Sequence, residues 1–561
     1  MKSSYDVVIM GGGLAGLTLS LQLKQRKPSI SILVVEKRND NAPTAAHKVG
    51  ESTVELGTHY LREVLNLKDY LDQYQLPKHG LRFFFSPNHK NDITKRVELG
   101  PRKRLPVPSH QLDRGTLENE LIRRSREMGN EIVLAAKVTD VHLLPNDAHI
   151  VEYTIGEQTH QIETRWVVDA TSRHSLLKRK LNFAKEIDHN VNAVWFRVDS
   201  EIDVTDWTND AEWQSFLEPG LRRLGTIHFM DKGYWLWLIP LSSGATSVGI
   251  VADQTFHPFN EINRLDRAMN WMEKNEPLAH KMITPLLDKV LDFKVLKHYA
   301  HNSGRLYSAD RWAVTGESGA FLDPFYSPGT DFISLNNTWL SDLILRDLAG
   351  ENIELHASVY EKTHLALFES WIPVYQNKYQ LMGSTQIMVV KIFWDWAVYW
   401  AIPCLLFTND GYTNMSILKR LFANEDSAGR RFGALNNRMQ NVFIEWRPYD
   451  TGDFVEKYID PFDLLFLQEF HKGIEEQFEP RDLILKVEEN LSQLERIASE
   501  IFRHISNMVH GTPMDIPVDP YTMKLFPSEN DSVGTHFVEP DLPIQEQVGV
   551  MWFYPKKEVV G

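Results

Sequence analysis

The chain has 561 residues, of which 43% are hydrophobic and 24% are charged, and its formal net charge is −15. This length is enough for two or three domains and for a large core around a cofactor. Because binding of nucleic-acid phosphates needs a basic face, the acidic balance argues against nucleic acid as the main partner. A multidomain enzyme is the default interpretation.

The sequence carries no mark of an oxidising compartment or of a membrane. Cys404 is the single cysteine, so no internal disulfide can form, and no secretory pattern precedes the first apolar strand. The apolar stretch 387–407 comes nearest to a membrane segment. Lys391, Asp395 and Pro403 interrupt it, at a cost that disfavours a spanning helix. We therefore expect a cytoplasmic protein in which this stretch is a buried or pocket-lining helix.

Residues 5–36 show the pattern of strand, glycine turn, helix and strand that binds dinucleotides. Gly11, Gly13 and Gly16 form G-x-G-x-x-G between the first strand and the helix. The first glycine permits the turn, the second lets backbone amides approach a pyrophosphate, and the third allows close helix packing. Glu36 ends the next strand, where a carboxylate accepts ribose hydroxyls. The alternative is a tight turn without a ligand.

The remaining elements follow from periodicity and turn residues. We expect helices over 53–74 and 113–128, antiparallel strands over 131–169, a strand-rich region over 190–252, helices from about 335 onward, and a proline-rich tail of little periodicity from 508.

Three segments favour FAD over NAD as the dinucleotide. Residues 168–173 resemble the D-A-[ST]-G element of flavoprotein monooxygenases, with serine at the glycine position. Residues 312–320 resemble the G-D-A-A segment whose acid binds the ribityl chain, with Glu317 in place of aspartate. Residues 111–114 resemble the D-R helix start that contacts the cofactor in the same proteins.

This resemblance implies an α/β fold. It consists of a Rossmann-like FAD-binding domain of the flavoprotein monooxygenase type, an inserted β-sheet substrate domain and a helical C-terminal region. The predicted division assigns 1–350 to the FAD-binding module, in which about 80–110 and 185–300 form the strand-rich substrate subdomain. The mainly helical region is then 351–561.

A narrower resemblance rests on two further motifs. By alternation alone, the tryptophans of 235–240 predict a buried strand with aromatic packing. However, 235–240 match W-x-W-x-I-P and 321–329 match F-x-x-P-x-x-S-x-G, both of which are motifs of the flavin-dependent halogenases. Residues 49–52 also resemble the V-G-E-[AS] element that approaches the flavin ring in that family. The chain thus resembles the flavin-dependent halogenases.

The resemblance implies a mechanism and a catalytic lysine. In that family FADH2 and oxygen give a flavin hydroperoxide, halide attacks it to form hypohalous acid, and a lysine ammonium delivers the electrophilic halogen. Lys78 lies 27 residues after Glu51, as that lysine would. An exposed surface lysine is the alternative, and Lys48 is a poorer candidate because it precedes the V-G-E element. No second dinucleotide fingerprint is present, so a separate flavin reductase is the expected partner.

The implied site has a flavin part and a halide part, with no metal. The cofactor contacts are predicted at Gly11, Gly13, Leu14, Ala15, Gly16, Glu36, Lys37, Val49, Gly50, Arg114, Asp169, Gly316, Glu317, Asp323, Gly329 and Thr330. The halide contacts are predicted at Ser327, Gly329 and Thr330. Pro328 has no N–H and so removes one possible halide donor. Two alternatives therefore stay open: a monooxygenase or oxidase that does not halogenate, and a flavin-binding protein without turnover.

Tyr326 bears on the substrate, because tryptophan-specific halogenases have a glutamate at this position. Its absence favours a phenol or pyrrole over a simple indole, with Asp331 or His79 as candidate groups for the phenol proton and a structural role as the alternative for each. The aromatic run 394–400 predicts either an apolar pocket wall or the core of the helical region. A hydrophobic or carrier-protein-bound substrate is consistent with such a wall.

Overall fold

The computed structural model describes residues 2–39, 42–43, 48, 50–85, 88–145, 147–452, 458–529, 531 and 534–552. The strands are β1 (Ser4–Met10), β2 (Ile32–Val35), β3 (Leu76–Pro77), β4 (Leu81–Phe85), β5 (Val97–Leu99), β6 (His110–Gln111), β7 (Glu131–Val133), β8 (Ala136–His142), β9 (His149–Ile155), β10 (Gln158–Asp169), β11 (Ala184–Glu186), β12 (Val191–Val198), β13 (Thr226–Asp231), β14 (Tyr234–Pro240), β15 (Thr246–Asp253), β16 (Val290–Leu296), β17 (His301–Ser303), β18 (Tyr307–Ser308), β19 (Trp312–Val314) and β20 (Tyr458–Ile459).

The helices are α1 (Leu14–Arg26), α2 (Glu55–His59), α3 (Lys68–Tyr74), α4 (Arg114–Glu127), α5 (Leu176–Lys180), α6 (Ala211–Gln214), α7 (Leu221–Leu224), α8 (Leu265–Asn275), α9 (Pro277–Ile283), α10 (Gly329–Leu348), α11 (Glu354–Tyr375), α12 (Thr385–Tyr399), α13 (Leu405–Thr408), α14 (Met415–Phe422), α15 (Ala428–Trp446), α16 (Leu465–Gly473), α17 (Pro480–His510) and α18 (Leu542–Val550).

The first sheet has the strand order β18-β19-β10-β1-β2-β7, in which β19, β10, β1, β2 and β7 are parallel. Strand β18 is antiparallel to β19, and β9 and β8 continue antiparallel from β10. The parallel strands end in register: Met10 lies opposite both Val35 and Asp169, and Asp169 lies opposite Val314. The loops that follow these strands therefore meet at one edge of the sheet. In open α/β sheets this carboxyl edge is where ligands bind.

The second sheet has the order β16-β12-β15-β14-β13-β4-β5-β20. Along β14 the side chains alternate as period 2 requires. Trp235 and Trp237 belong to the main core and lie on one face, with ring centroids 5.5 Å apart, whereas Leu236 and Leu238 pack on the other face against α8 and α9. The prediction that the two tryptophans share one face is confirmed.

Gly249 of β15 makes room for one of these rings. It lies between Trp195 of β12 and Trp237 of β14 in the sheet, and a Cβ there would stand 2.2 Å from Cζ2 of Trp237. Glycine within a strand marks such a close approach. The flat position of Trp237 thus depends on a residue without a side chain.

Helices dominate from α10 onward, as expected, and α12, a π-helical turn (Trp400–Cys404) and α13 form one continuous helix. This helix, Thr385–Thr408, is long and apolar enough to cross a membrane, but all of its most hydropathic window is buried inside the protein. Its burial matches the prediction of a buried or pocket-lining helix.

The fold class predicted from the sequence is confirmed by these two sheets and by the helical region. The strands β4, β5 and β12 to β16 lie in the ranges expected for the substrate subdomain, but β20 extends their sheet from within the helical region. Two local expectations differ from the structure. The helix expected over 53–74 is divided into α2, a π-helical turn and α3, and the tail contains the end of α17 and all of α18.

We predict that Gly249→Ala destabilises the protein by about 1–3 kcal/mol, because the added methyl group overpacks the ring of Trp237. The shift in the urea midpoint measures this. Gly433→Ala in α15 is the matched control: a Cβ there meets no neighbouring atom, so it should stabilise the protein by about 0.5–1 kcal/mol. Equal midpoints for the two variants would contradict the role assigned to Gly249.

Candidate active site

A large cavity opens at the carboxyl edge of the first sheet. Most of the predicted flavin contacts line it: Gly13, Leu14, Ala15, Lys37, Gly50, Arg114, Gly316, Glu317, Asp323, Gly329 and Thr330. Ser327, predicted for halide, lines the same cavity, as do Trp195, Trp235 and Trp237 of the second sheet. The edge of one sheet and the face of the other thus enclose a single cavity, which we call the flavin cavity.

The glycine turn fits a pyrophosphate. Gly11 has a φ of +113°, and a Cβ on it would stand 2.3 Å from the carbonyl oxygen of Ala170. A Cβ on Gly16 would stand 2.1 Å from the carbonyl oxygen of Gly11. Gly13, the N-cap of α1, faces the cavity, and no side chain caps the helix or places an acid in its first turn. An anion at this helix start would meet open backbone N–H groups.

Of the predicted cofactor residues that the structure describes, four lie outside the cavity lining, and two of these are acids. Glu36 accepts hydrogen bonds from the N–H of Gly12 (2.6 Å) and of Arg38 (2.9 Å), so it holds the glycine turn directly. Asp169 accepts from the N–H of Thr171 (2.9 Å) and of Leu177 (2.8 Å) and is fully buried. Like Gly11 and Gly16, they shape the cavity wall. Val49 lies outside the described residues.

Asp323 connects the two motifs that carry the halogenase resemblance. Its Oδ2 accepts hydrogen bonds from His189 (2.7 Å) and from the hydroxyls of Tyr299 (3.2 Å) and Tyr379 (2.8 Å). The hydroxyl of Tyr379 in turn accepts from Nε1 of Trp235 at 2.9 Å. Segment 321–329 and the double-tryptophan strand are therefore held together by buried hydrogen bonds, and Asp323 positions the cavity wall.

Glu51, the acid of the V-G-E element, lines the flavin cavity and is buried. Arg197 donates to its Oε1 from Nε at 2.8 Å and also bonds Asp292 at 2.6 Å. Burial raises the pKa of Glu51, and the guanidinium of Arg197 opposes that rise. Nearby, Lys48 donates to Glu118 at 2.7 Å, so its ammonium is engaged in an ion pair on the flavin side.

A second cavity adjoins the flavin cavity, and Lys78 lines it; we call it the lysine cavity. Lys78 follows β3, its N–H donates to the carbonyl of Ser109 at 2.8 Å, and its Nζ donates to the carbonyl of Thr53 at 2.7 Å. Its side chain is 6% exposed, so the surface-lysine alternative does not fit. Burial lowers the pKa of Lys78 to about 7, despite Glu55 and Asp331 nearby.

The walls of the lysine cavity are largely aromatic. Trp371, Trp396, Tyr399, Trp400 and Phe462 contribute to them. Of the run 394–400, Trp394 instead packs in the core and donates to Oδ1 of Asn436 at 3.0 Å. Both predicted roles of the run 394–400 are therefore present. Trp394 fills the core of the helical region, and Trp396 and Trp400 form part of the pocket wall.

The two candidate groups for a phenol proton are both engaged by the protein. Asp331 lines the lysine cavity, and its oxygens accept from the N–H of Gly57 and from the hydroxyl of Tyr399, each at 2.8 Å. Burial raises the pKa of Asp331 to about 7. His79 bonds the carbonyl of Pro101 at 3.0 Å through Nε2, and burial lowers its pKa to about 4.

The turn 326–329 separates the two cavities. Tyr326 lines the lysine cavity, Ser327 lines the flavin cavity and Pro328 lines both. Tyr326 and Ser327 have φ values of 72° and 62°, a left-handed backbone that costs energy in residues other than glycine. Helix α10 begins at Gly329, the last residue of this turn. The first N–H groups of a helix have no carbonyl partner within that helix, so those at the start of α10 face the turn.

A buried polar cluster holds Tyr326 in place. Its hydroxyl donates to Oδ2 of Asp395 at 2.8 Å, and Lys391 donates to the same oxygen at 2.5 Å. Gln440 donates to the other carboxylate oxygen at 2.7 Å. Burial lowers the pKa of Lys391, and Asp395 opposes that shift. The charges that interrupt the apolar helix Thr385–Thr408 therefore fix the turn between the cavities.

Comparisons with known proteins agree with this architecture. A family model described as an FAD binding domain matches residues 4–247. The flavin-dependent halogenase chlA of Dictyostelium discoideum is 26% identical over 499 residues, which cover 80% of this chain and 81% of that protein. A 1H-pyrrole-2-carbonyl-[peptidyl-carrier protein] brominase of Pseudoalteromonas luteoviolacea is 25% identical over 71% of this chain and 87% of its own length.

Solved structures show the same fold. The halogenase PltM has a TM-score of 0.64 at 15% identity and covers 87% of this chain and 98% of its own. The flavin-dependent brominase Bmp2 has a TM-score of 0.53 at 21% identity and covers 67% of this chain and 87% of its own. At these identities the structural likeness establishes the fold alone. The similarity to halogenases rests on the sequence relatives.

The chain is an FAD-binding flavoprotein, because its fold, its glycine turn and its match to an FAD binding domain agree. Within that class it is an oxidoreductase similar to the flavin-dependent halogenases, as the curated relatives and the two matched motifs indicate together. The resemblance read from 235–240 and 321–329 is confirmed.

Sequence reasoning missed the acidic lining of the lysine cavity. Glu55, at the first position of α2, and Asp395 both line it, and His471 of α16 lies 3.4 Å from Oε1 of Glu55. These residues are distant in sequence, so no local spacing could have grouped them. The one available signal was Glu55 itself, a charged residue three positions after the V-G-E-S element of 49–52.

We predict that Glu36→Ala weakens FAD binding by about 10- to 100-fold, because the charged hydrogen bonds that hold the glycine turn are lost. Quenching of flavin fluorescence on titration with the apoprotein measures this. Glu157→Ala, at an exposed hairpin turn, is the matched control and should bind FAD normally. Unchanged affinity of Glu36→Ala would contradict the role of its carboxylate.

Proposed function

We propose that this protein halogenates an electron-rich aromatic substrate, and that Lys78 delivers the electrophilic halogen. The observation that carries this proposal is the position of Lys78: its buried ammonium group lines an aromatic cavity that meets the flavin cavity at Pro328. A surface lysine or a lysine in the flavin cavity would not suit halogen delivery. The arrangement supports oxidation of halide in one cavity and its transfer to carbon in the other.

Reduced FAD, when bound, supplies with oxygen the oxidising equivalents that turn halide into hypohalous acid. The chain would hold the halide at Ser327, Gly329 and Thr330, beside the start of α10, where open N–H groups and the helix dipole favour an anion. Pro328 contributes no N–H, so the amides of Gly329 and Thr330 are the donors. Supply of reduced flavin by a separate reductase is part of the proposal.

Lys78 would receive the oxidant across the turn 326–329. Its ammonium can donate a hydrogen bond to hypohalous acid and so make the halogen more electrophilic. The same burial that lowers its pKa keeps bulk water away from a reagent that water would disperse. The carbonyl of Thr53 fixes Nζ in position.

The aromatic walls of the lysine cavity support a phenol- or pyrrole-like substrate. Trp371, Trp396 and Trp400 offer flat apolar surface for a ring or an apolar chain. Two of the relatives are named for a pyrrole-2-carbonyl group on a peptidyl-carrier protein, and they come from Pseudoalteromonas luteoviolacea and Pseudomonas fluorescens. A carrier-bound aromatic therefore belongs among the substrates to be tested, beside free phenols.

We predict that Lys78→Met lowers the yield of halogenated product by at least about 100-fold, because the group that activates the halogen is removed. Product is measured by mass spectrometry with FADH2, oxygen, bromide and a panel of phenols and pyrroles. Oxidation of the reduced flavin, followed by absorbance, should continue at the wild-type rate.

Lys378→Met is the matched control. Burial lowers the pKa of Lys378 to about 7 as well, but its Nζ bonds the carbonyl of Gln376 and the residue lines neither cavity. It should retain halogenation. If the wild-type protein gave only hydroxylated product, the monooxygenase alternative suggested by Pro328 would be favoured instead.

We further predict that halogenation of N-methylpyrrole declines above pH 7. The pKa of Lys78 is lowered to about 7, so the ammonium form is present below this pH and is lost as the pH rises through it. The rate should fall by about tenfold per pH unit on the alkaline side. N-methylpyrrole has no ionisable proton, so its own titration does not contribute. A rate that rises with pH would indicate that the neutral amine acts instead.

A further inference from the structure

Glu55 is a carboxylate in the lysine cavity that halogen delivery does not use. It is the first residue of α2, it lines the cavity, and it is 6% exposed. From this position and its contacts we infer that Glu55 accepts the proton of an aromatic hydroxyl group and thereby selects phenols as the substrates. The inference rests on the proposed halogenase function and names its substrate class.

The contact with His471 orients Glu55. Nε2 of His471 lies 3.4 Å from Oε1 of Glu55, and the histidine is fully buried in α16. Within the described part of the chain, neither ring nitrogen of His471 has a hydrogen-bond partner. The rings of Trp400 and Phe462, which also line the cavity, pack on the imidazole at centroid distances of 4.7 and 5.3 Å. His471 is a positioning residue for Glu55.

The other carboxylates of this cavity are already occupied. Both oxygens of Asp331 accept short hydrogen bonds, and Asp395 accepts from Tyr326, Lys391 and Gln440. Glu55 has only the longer contact with His471 as its ion partner among the described residues. Of the three acids, it is the one with capacity left for a substrate hydroxyl.

Glu55 is also held in the form that accepts a proton. Burial alone would raise the pKa of Glu55, but His471 and Lys78, together with the backbone at the start of α2, outweigh burial and keep the pKa below its ordinary value. A buried carboxylate that stays ionised in the same cavity as Lys78 is available as a base while the halogen is transferred.

Proton transfer to Glu55 precedes the formation of the carbon–halogen bond. The hydroxyl O–H bond of the substrate breaks, the proton goes to Glu55, and the electron pair left on oxygen activates the ring. A ring carbon then forms its bond to the halogen of hypohalous acid, and the halogen–oxygen bond breaks as hydroxide takes a proton from Lys78 to give water. The ring proton that is lost next restores Lys78, and Glu55 returns its proton to the oxygen of the product.

The inference separates phenols from pyrroles. A pyrrole that carries no hydroxyl group has only a weakly acidic N–H, from which Glu55 does not take a proton. A phenol of ordinary pKa, in contrast, becomes a far better nucleophile once a base removes its hydroxyl proton. The cavity therefore suits a hydroxylated arene whose ring or apolar substituent contacts Trp396 and Trp400.

The test compares the wild type with Glu55→Gln on phenols whose pKa values run from well below 7 to about 10, as for tyrosine. Removal of the base should lower the halogenation rate about 100-fold for the phenols near 10. The rate should fall far less for phenols already ionised at the assay pH and for N-methylpyrrole, because for these only the lost charge of Glu55 beside Lys78 matters. Glu55→Asp should restore part of the lost rate, and His471→Phe should show the same selective loss to a smaller extent.

A uniform loss over all substrates, or no loss at all, would overturn the inference, as would a selective loss in Asp331→Asn that Glu55→Gln lacks. Flavin binding and flavin oxidation by Glu55→Gln check that the variant is folded. They should match the wild type, because Glu55 does not line the flavin cavity.

A binding measurement keeps this inference separate from the halogenase proposal. Wild-type protein should bind a phenol about tenfold more tightly than its methyl ether, as a charged hydrogen bond requires, and Glu55→Gln should lose that preference. Quenching of tryptophan fluorescence reports both ligands. If the wild type prefers the phenol to its methyl ether but gives no halogenated product, the Glu55 site is supported and the halogenase proposal is refuted. If the wild type halogenates but shows no such preference, only the Glu55 site is refuted.

Discussion

The geometry of the active region depends on one strained turn. At 326–329 the backbone takes a left-handed course through Tyr326 and Ser327, so consecutive side chains face opposite cavities. Such a backbone persists only where its surroundings hold it. The hydroxyl of Tyr326 is held by Asp395, and Asp323 ties the preceding residues to Tyr379 and to Trp235. Separation of the two cavities is therefore a property of buried hydrogen bonds on both sides of the turn.

Burial sets the chemistry of the lysine cavity. Removal from water lowers the pKa of Lys78 and raises that of Asp331 to nearly the same value, so neither group is firmly charged. Glu55 escapes this trend because His471 and Lys78 favour its ionised form. Glu55 and Asp331, two carboxylates that would titrate alike in water, are thus distinguished by their position in the fold.

The sequence predicted those parts of the site that are local in the chain. The glycine turn and Glu36 belong to one βαβ unit, and Trp235 and Trp237 share a face because strands alternate, so spacing alone was sufficient for both. The partnership of Glu55 with His471 could not be predicted, since it joins α2 to α16 through tertiary packing. The carboxylates of Asp169 and Asp323 bond protein groups, and Asp323 also lines the flavin cavity. The contact of these two residues with the cofactor stays a prediction.

The helix Thr385–Thr408 shows why composition alone misleads here. Its hydropathy is that of a membrane span, yet it is buried, and its two charges bond each other at the base of the lysine cavity. A buried ion pair is costly unless further hydrogen bonds satisfy it, and Tyr326 and Gln440 provide them. The apolar surface of the helix forms a wall of the lysine cavity, and the ion pair within the helix fixes the turn that separates the two cavities. The apolar residues and the two charges of this helix, which point to different environments in the sequence, thus both contribute to the same pair of cavities.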